Sequence, residues 1–360
     1  MPARSLKAEA RREARRWLCR SVSPYHPHRQ LPEPSLWPDI IEAADRALLM
    51  PRLFEELRPL HGDLPGEVFD LLETVSLLNS ERNRQIVDQT VAVIGTLNAR
   101  GVEPVILKGN AILLTGGPNS GSRMVTDLDL WIPEPAGQQA ALAALQAEGY
   151  RPTRPLAKFR LSDHHHYPSL HRPGTAARVE VHHRLTDREL DELFDEAAAA
   201  RRVASVELGV GRLRLLDPLD GLAVSYIQST YMAVPVFGLA RVPFMKWVDF
   251  LDRLAAVGGP PPQTRRDSGL RGEDGPVDRM FFTALQSYFG YPYNGPRDET
   301  YVQRRERQLE GGWHGAWLPE LLTSLGRDLA SPKLFRLRSW RRAPLILQER
   351  VSLHRRRKGL

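Results

Sequence analysis

Between Val125 and Ile132 the chain reads Val-Thr-Asp-Leu-Asp-Leu-Trp-Ile. Strand side chains alternate between faces, so as a strand this segment sets Leu128 and Leu130 on one side and Asp127 and Asp129 on the other. The leucines require an apolar layer behind the sheet. The aspartates stand about 7 Å apart on one face, where they repel each other unless a proton or a cation intervenes. Such a chain must bury one face of a sheet and turn the other toward a polar site that compensates charge.

The neighbouring segments supply the rest of that sheet. Val102–Leu107 is a short apolar run before Lys108-Gly109-Asn110, a pattern that predicts a buried strand entering a turn. Ala111–Leu114 starts a helix, and residues 115–122 are rich in Gly, Asn and Ser. Ala136–Gly149 reads as an Ala/Leu/Gln helix ended by glycine. Arg178–Leu185 reads as a third strand with Glu180 near its middle. This alternation predicts one compact α/β unit over 100–186.

Helical patterns flank it on both sides. Residues 5–20 place Leu6, Ala10, Ala14, Trp17 and Leu18 on one face, and residues 22–38, with five prolines, predict an extended linker. Periodicity returns over Ile40–Leu57, interrupted at Pro51, and again from Gly66 to Ala99, with a stripe including Val68, Leu71, Leu72, Leu78, Ile86 and Leu97. Downstream, Val203–Val206 and Leu213–Leu216 predict a hairpin, and Asp217 opens a helical tract in which Trp247, Phe250 and Leu251 are core and Asp249 and Asp252 a solvated face. The predicted fold class is α+β: a minimal α/β core with a mixed sheet, set between helical segments. The expected divisions are a basic helix and Pro-rich linker (1–38), a helical segment (39–99), the core (100–186), a hairpin and helical segment on the acceptor side (187–257), a loop (258–278) and a helical, basic C-terminal segment (279–360).

Charge and composition exclude several classes. No apolar run approaches the ~20 residues of a membrane helix, and the lone Cys19 excludes a disulfide framework or a multi-cysteine metal site. With no secretory signal pattern in the N-terminal stretch, a reducing cytoplasmic location is expected. Net charge is +7, yet residues 1–33 carry +5 and residues 332–360 carry +9, which leaves −7 for the body. Basic ends of this kind can grip a polyanion such as RNA, or be solvated helix faces.

Three features point to phosphate chemistry. Gly109 sits where a strand turns into a helix, a place where backbone N–H groups and the helix dipole favour an anion. An acidic residue flanked by valines, Glu180 in Val179-Glu180-Val181-His182, needs a cationic partner in a core strand. Lys108 and Arg123 stand at either end of the glycine-rich turn. His182 shares the face of Glu180, as a phosphate contact or an orienting group, while His164, His165 and His166 read as a polar loop or strand edge. The histidine spacing fits no standard zinc motif.

In these elements, Leu107-Lys108-Gly109, Arg123, Asp127-Leu128-Asp129-Leu130 and Val179-Glu180-Val181-His182, the chain resembles the DNA polymerase beta-like nucleotidyltransferase superfamily, and within it the bacterial branch of uncharacterised nucleotidyltransferases. The similarity spans roughly residues 66–256 and departs at Asn110, where many members have Ser or a second Gly. The resemblance implies an enzyme in which Asp127, Asp129 and Glu180 hold magnesium (or manganese) about the triphosphate of a nucleotide such as ATP. Lys108, Gly109, Asn110, Arg123 and His182 would contact that nucleotide. The acceptor hydroxyl would belong to RNA or a tRNA end, a small molecule or a peptide. The alternative is an inactive module that binds RNA or a protein through its basic ends.

Overall fold

The computed structural model describes residues 2–306, apart from 26–29, 118–119, 156–158, 162–163, 210, 231–243, 259–260, 301 and 304–305. The basic stretch forms α1 (Pro2–Ser21), followed by α2 (Trp37–Ala47) and α3 (Met50–Leu57). The predicted helix over 40–57 breaks at Leu48 rather than at Pro51. Leu48 closes α2 in the left-handed region with φ 58°, and Pro51 lies in the first turn of α3, where its missing N–H costs no helix bond. The predicted extended linker is shortened by a 3-10 turn at Pro34–Leu36 that runs directly into α2.

α4 (Gly66–Asn98) is one unbroken helix of 33 residues. Val68, Leu72, Ile86 and Leu97 are buried, but Leu71 and Leu78 of the predicted stripe are 42% and 66% exposed. The inward face is partly polar instead, with Asn79, Asn83, Gln89 and Thr90 buried. These groups satisfy backbone that the sheet leaves unpaired. Asn79 and Asn83 donate from Nδ2 to the carbonyl of Arg123 at 3.2 and 2.9 Å, and Arg82 donates to the carbonyls of Val125 and Ala176. Gln89 accepts the N–H of Ala177 and donates to its carbonyl, both at 2.9 Å.

Then come β1 (Val105–Ile106), α5 (Lys108–Thr115), β2 (Asp127–Trp131) and α6 (Pro135–Ala147). Two short strands, β3 (Arg151–Pro152) and β4 (Leu170–His171), precede β5 (Arg178–His182). α7 (Glu196–Arg202) leads to the predicted hairpin, β6 (Ala204–Leu208) and β7 (Gly211–Leu215). The described strands make one mixed sheet in the order β3-β4-β5-β2-β1-β7-β6, the α+β arrangement expected. β7 pairs in parallel with β1, so the sheet extends past residue 186. β2 pairs in parallel with β5, which sets Asp129 beside Glu180 and Leu130 beside Val181. Leu128, Leu130, Val179 and Val181 are fully buried against Leu142 and Leu145 of α6 and Ile94 and Leu97 of α4. The predicted alternation therefore holds, with leucines in the core and carboxylates on the opposite face.

α8 (Pro218–Ser229) starts where Asp217 accepts the N–H of Leu219 at 2.9 Å. α9 (Phe244–Ala256) and α10 (Pro276–Phe289) follow, and α10 begins inside the predicted loop 258–278. Trp247, Phe250 and Leu251 are buried with Tyr226 and with Phe281 and Tyr288 of α10. Arg11 of α1 pairs with Asp39 and Glu42, while Arg12, Arg15 and Arg16 converge on buried Glu306. Those arginines are engaged within the chain. The basic run 332–360 lies outside the described residues. No described helix is long and apolar enough to cross a membrane.

The two-way bond between Gln89 and Ala177 is buried, so its loss leaves the Ala177 N–H unsatisfied and its carbonyl with only a long bond from Thr175. Gln89→Ala should cost about 2 kcal/mol in urea denaturation, whereas Gln85→Ala, exposed on the same helix, should stay within about 0.5 kcal/mol.

Candidate active site

The acidic face of the sheet and α5 form one wall of a cleft of about 1240 Å³, and α8 and α9 form the other. Lys108, Gly109, Asp127 and Asp129 lie on the first wall; Ser225, Gln228, Lys246, Asp249 and Arg253 lie on the second. Asp129 is the most constrained of these groups, only 5% exposed. Its Oδ1 lies 2.5 Å from Lys108 Nζ and 2.8 Å from His182 Nε2. Burial alone would raise the Asp129 carboxyl, but the Lys108 ammonium and the bond from His182 outweigh it and hold the group well below the usual carboxylate range. Burial acts oppositely on Lys108, and Asp129, helped by Glu180 and Asp127, keeps the ammonium charged.

Burial, against the bond to Asp129, pulls His182 down to about 3, so its imidazole is neutral at neutral pH. An ionised Asp129 accepts, so the ring proton sits on Nε2. Nδ1 is buried without a partner, and moving the proton there would strand a donor. His182 is therefore a fixed donor that orients Asp129. It does not line the cleft, in contrast to the nucleotide contact the resemblance implied.

Asp127 lines the cleft, and its Oδ2 accepts from Thr126 Oγ1 at 2.8 Å. Glu180 is set back from it. Its Oε1 accepts from Ser169 Oγ at 2.7 Å, and its Oε2 lies 3.8 Å from His182 Nε2. Ligand atoms of Asp129, Glu180 and His182 all lie within 4.8 Å of one another, the described group suited to a metal ion; Asp127 stands outside it. Two carboxylates and a neighbouring aspartate are a donor set suited to magnesium or manganese. The Lys108 ammonium already acts as a cation among them, so the residues fit a divalent ion.

The glycine turn has a steric reason. A Cβ on Gly109 would meet Arg123 Nε at 2.6 Å and Val125 Cγ2 at 2.7 Å, so glycine lets Arg123 cross over the start of α5. Arg123 spans the cleft to pair with Asp249, and burial lowers its guanidinium to about 10. Asn110 is 1% exposed, and its Nδ2 donates to the Asp127 carbonyl at 2.6 Å. Its amide holds β2 rather than facing the cleft.

Other groups emerge only from the structure. His166 pairs with His182 as a strand-edge bridge, while His164 and His165 reach the cleft, His165 Nδ1 lying 2.9 Å from Asp187 Oδ1. The expected solvated face of α9 is corrected. The Asp249 and Asp252 side chains are each 14% exposed, because Arg123 covers one and Arg52 the other. The legible signal is spacing: Lys246, Asp249 and Arg253 fall at i, i+3 and i+7, on a stripe about 100° around the helix from the apolar Trp247, Phe250 and Leu254.

The neutral His182 makes a pH prediction. Native His182 resists protonation down to about 3, while an unfolded histidine titrates near 6.5, so the unfolded state gains protons first across that window. Wild-type stability should fall as pH drops from 6.5 toward 3. His182→Gln should show a shallower loss in denaturant midpoints, though not a flat one, because burial also lowers His183.

No curated protein and no solved structure matches the chain. The model of one family, described as uncharacterised nucleotidyltransferase, matches residues 33–233, from the turn before α2 through the sheet and α8. With more than half of its length matched, carrying both acidic strands and the glycine turn, the chain belongs to the uncharacterised nucleotidyltransferase family.

Proposed function

We propose that the chain is a divalent-metal-dependent nucleotidyltransferase, which moves a nucleoside monophosphate from a triphosphate to an acceptor hydroxyl and releases pyrophosphate. The observation that carries this reading is the pairing of Asp129 with Glu180 across two parallel strands, with Asp127 beside them on the cleft wall and Lys108 among the three. Asp127, Asp129 and Glu180 are the residues that would hold magnesium or manganese. The bound ion would supply charge neutralisation at the α-phosphate and the leaving pyrophosphate.

The chain's own residues position the nucleotide. Gly109 presents the start of α5 and its first-turn N–H groups to the phosphates, with Asn110 behind it holding β2. Lys108 contributes from the same wall and Lys246 from the opposite one, so a triphosphate is held by cations on both sides. Arg123 supports this indirectly, through Asp249, by tying α9 to the glycine turn. Catalysis then rests on positioning and preset charge. The acceptor is a hydroxyl of an RNA end, a small molecule or a peptide. A single cysteine with no disulfide partner suits a reducing compartment, so the cytoplasm is the proposed location, and ATP the first nucleotide to examine.

A second reading draws on Asn110, whose amide is committed to the β2 backbone where a hydroxyl contact to phosphate is common in the resembled superfamily. In that reading the fold is a retired scaffold that binds RNA or a partner. One experiment separates the two. Each of four α-labelled triphosphates is offered to the wild type and to the Asp127→Asn/Asp129→Asn variant, with and without magnesium. Metal-dependent binding or label transfer that the variant loses is the expected result, and Lys246→Met should weaken binding about tenfold, the loss of one charged hydrogen bond. Indifference of the folded wild type to every triphosphate would instead leave the binding-module reading.

A further inference from the structure

We propose that Lys108 is the resident counter-cation of the acidic cluster, and that its ammonium must leave Asp129 before a divalent cation can use that carboxylate, so that metal and triphosphate load together. The inference rests on the function proposed above and concerns how that site is filled.

Position is the first observation. Asp129, Glu180 and His182 form the described metal-suited group, and of these three Asp129 alone lines the cleft. A cation arriving from the cleft therefore meets Asp129 first, at the oxygen that Lys108 Nζ holds at 2.5 Å and His182 Nε2 at 2.8 Å. That oxygen already has two donors.

Charge is the second. Lys108 is attracted by Asp129, Glu180 and Asp127 together, the same three carboxylates a divalent ion would use. An ammonium and a divalent ion a few ångströms apart in a poorly solvated site repel strongly, so the two are alternatives rather than companions.

Backbone geometry is the third and is independent of both. Lys108 has φ 52° and is one of two described non-glycine residues with a positive value. A lysine in the left-handed region persists only where its surroundings hold it. Here the holders are Asp129, on the side chain, and Arg253, whose Nη2 donates to the Lys108 carbonyl at 3.3 Å. Arg253 belongs to the opposite wall, so the resting position of Lys108 is tied to both sides of the cleft.

A free metal ion offers Lys108 no new partner and must displace it at a loss. A metal-bound triphosphate brings its own phosphate oxygens, which take over the ammonium as it swings out on its flexible stem. Linkage then requires that metal and triphosphate each tighten the other by the same factor.

The test is Mn²⁺ binding, read from the free-ion electron paramagnetic resonance signal, with and without a non-hydrolysable triphosphate analogue. It is applied to wild type, Lys108→Met, Lys108→Gly and Lys108→Arg. Lys108→Gly relieves the positive φ while removing the ammonium, so backbone strain cannot defeat both neutral variants. Wild type should bind free Mn²⁺ weakly and gain about tenfold or more with the analogue. The two neutral variants should bind free Mn²⁺ about tenfold or more tighter than wild type and gain less from the analogue. Lys108→Arg should resemble wild type. If folded neutral variants bind free Mn²⁺ no tighter than a wild type that still takes it up with the analogue, the counter-cation role is wrong and the nucleotidyltransferase reading stands. If no form takes up Mn²⁺ under either condition, both fall.

Discussion

A carboxylate as enclosed as Asp129 survives folding only if nearby groups replace the solvation it gives up, since an isolated buried charge costs several kcal/mol. Much of the surrounding structure serves that replacement. Lys108 is held in an unfavourable backbone conformation to reach it, His182 keeps one tautomer to donate to it, and Asn110 fixes the strand that carries it. Replacing a buried ionic arrangement by well-packed apolar residues is often neutral or stabilising, so stability alone does not account for this one. Keeping it makes sense where the charge is used, which is the physical argument for a functional site beneath the family match.

The cluster is only as well placed as the two strands under it. β2 and β5 lie in parallel register, and the segment leading into each is pinned from one helix. Asn79, Arg82 and Asn83 hold the segment before β2, and Gln89 holds the segment before β5, all from the inward face of α4. Parallel neighbours cannot be joined by a tight turn, so their relative register must come from elsewhere. A rigid helix that bonds to both leading segments supplies it. This explains why the middle of α4 buries amides where an amphipathic helix would bury leucines, and why Leu71, Leu77 and Leu78 end up exposed.

These particulars also show what a sequence can and cannot reveal. The Asp-Leu-Asp-Leu alternation is legible because period-2 patterning directly reports which face each residue takes, and Glu180 is legible because an acid between valines needs a reason. The pairing of Asp129 with Glu180 is visible only as a candidate until the parallel register is known. The Leu48 break is hidden because a left-handed leucine leaves no compositional mark, whereas Pro51 looks like the natural interruption yet suits a first turn. Asp249 and Asp252 read as solvated because helical periodicity reports one apolar face, and it says nothing about a second face covered by arginines from distant segments. The role of Gly109 is only half legible: the turn is expected, but the crowding by Arg123 requires three dimensions.

The limits of the family match bear on how the cleft is divided. The matched region ends at residue 233 and so contains the acidic strands, the glycine turn and α8, but not α9. Lys246, Asp249 and Arg253 therefore come from a segment outside the shared pattern, yet two of them bond to residues inside it: Asp249 pairs with Arg123, and Arg253 reaches the carbonyl of Lys108. On the proposed function, the carboxylates and the glycine turn belong to the wall inside the matched region, and Lys246 adds a phosphate-binding cation from outside it. The opposite wall, which that reading gives to the acceptor, combines α8 from inside the matched region with α9 from beyond it. The ion pair between Arg123 and Asp249 ties the two together, so on that reading a change in α9 acts on the substrate side while the carboxylates stay where the sheet register puts them.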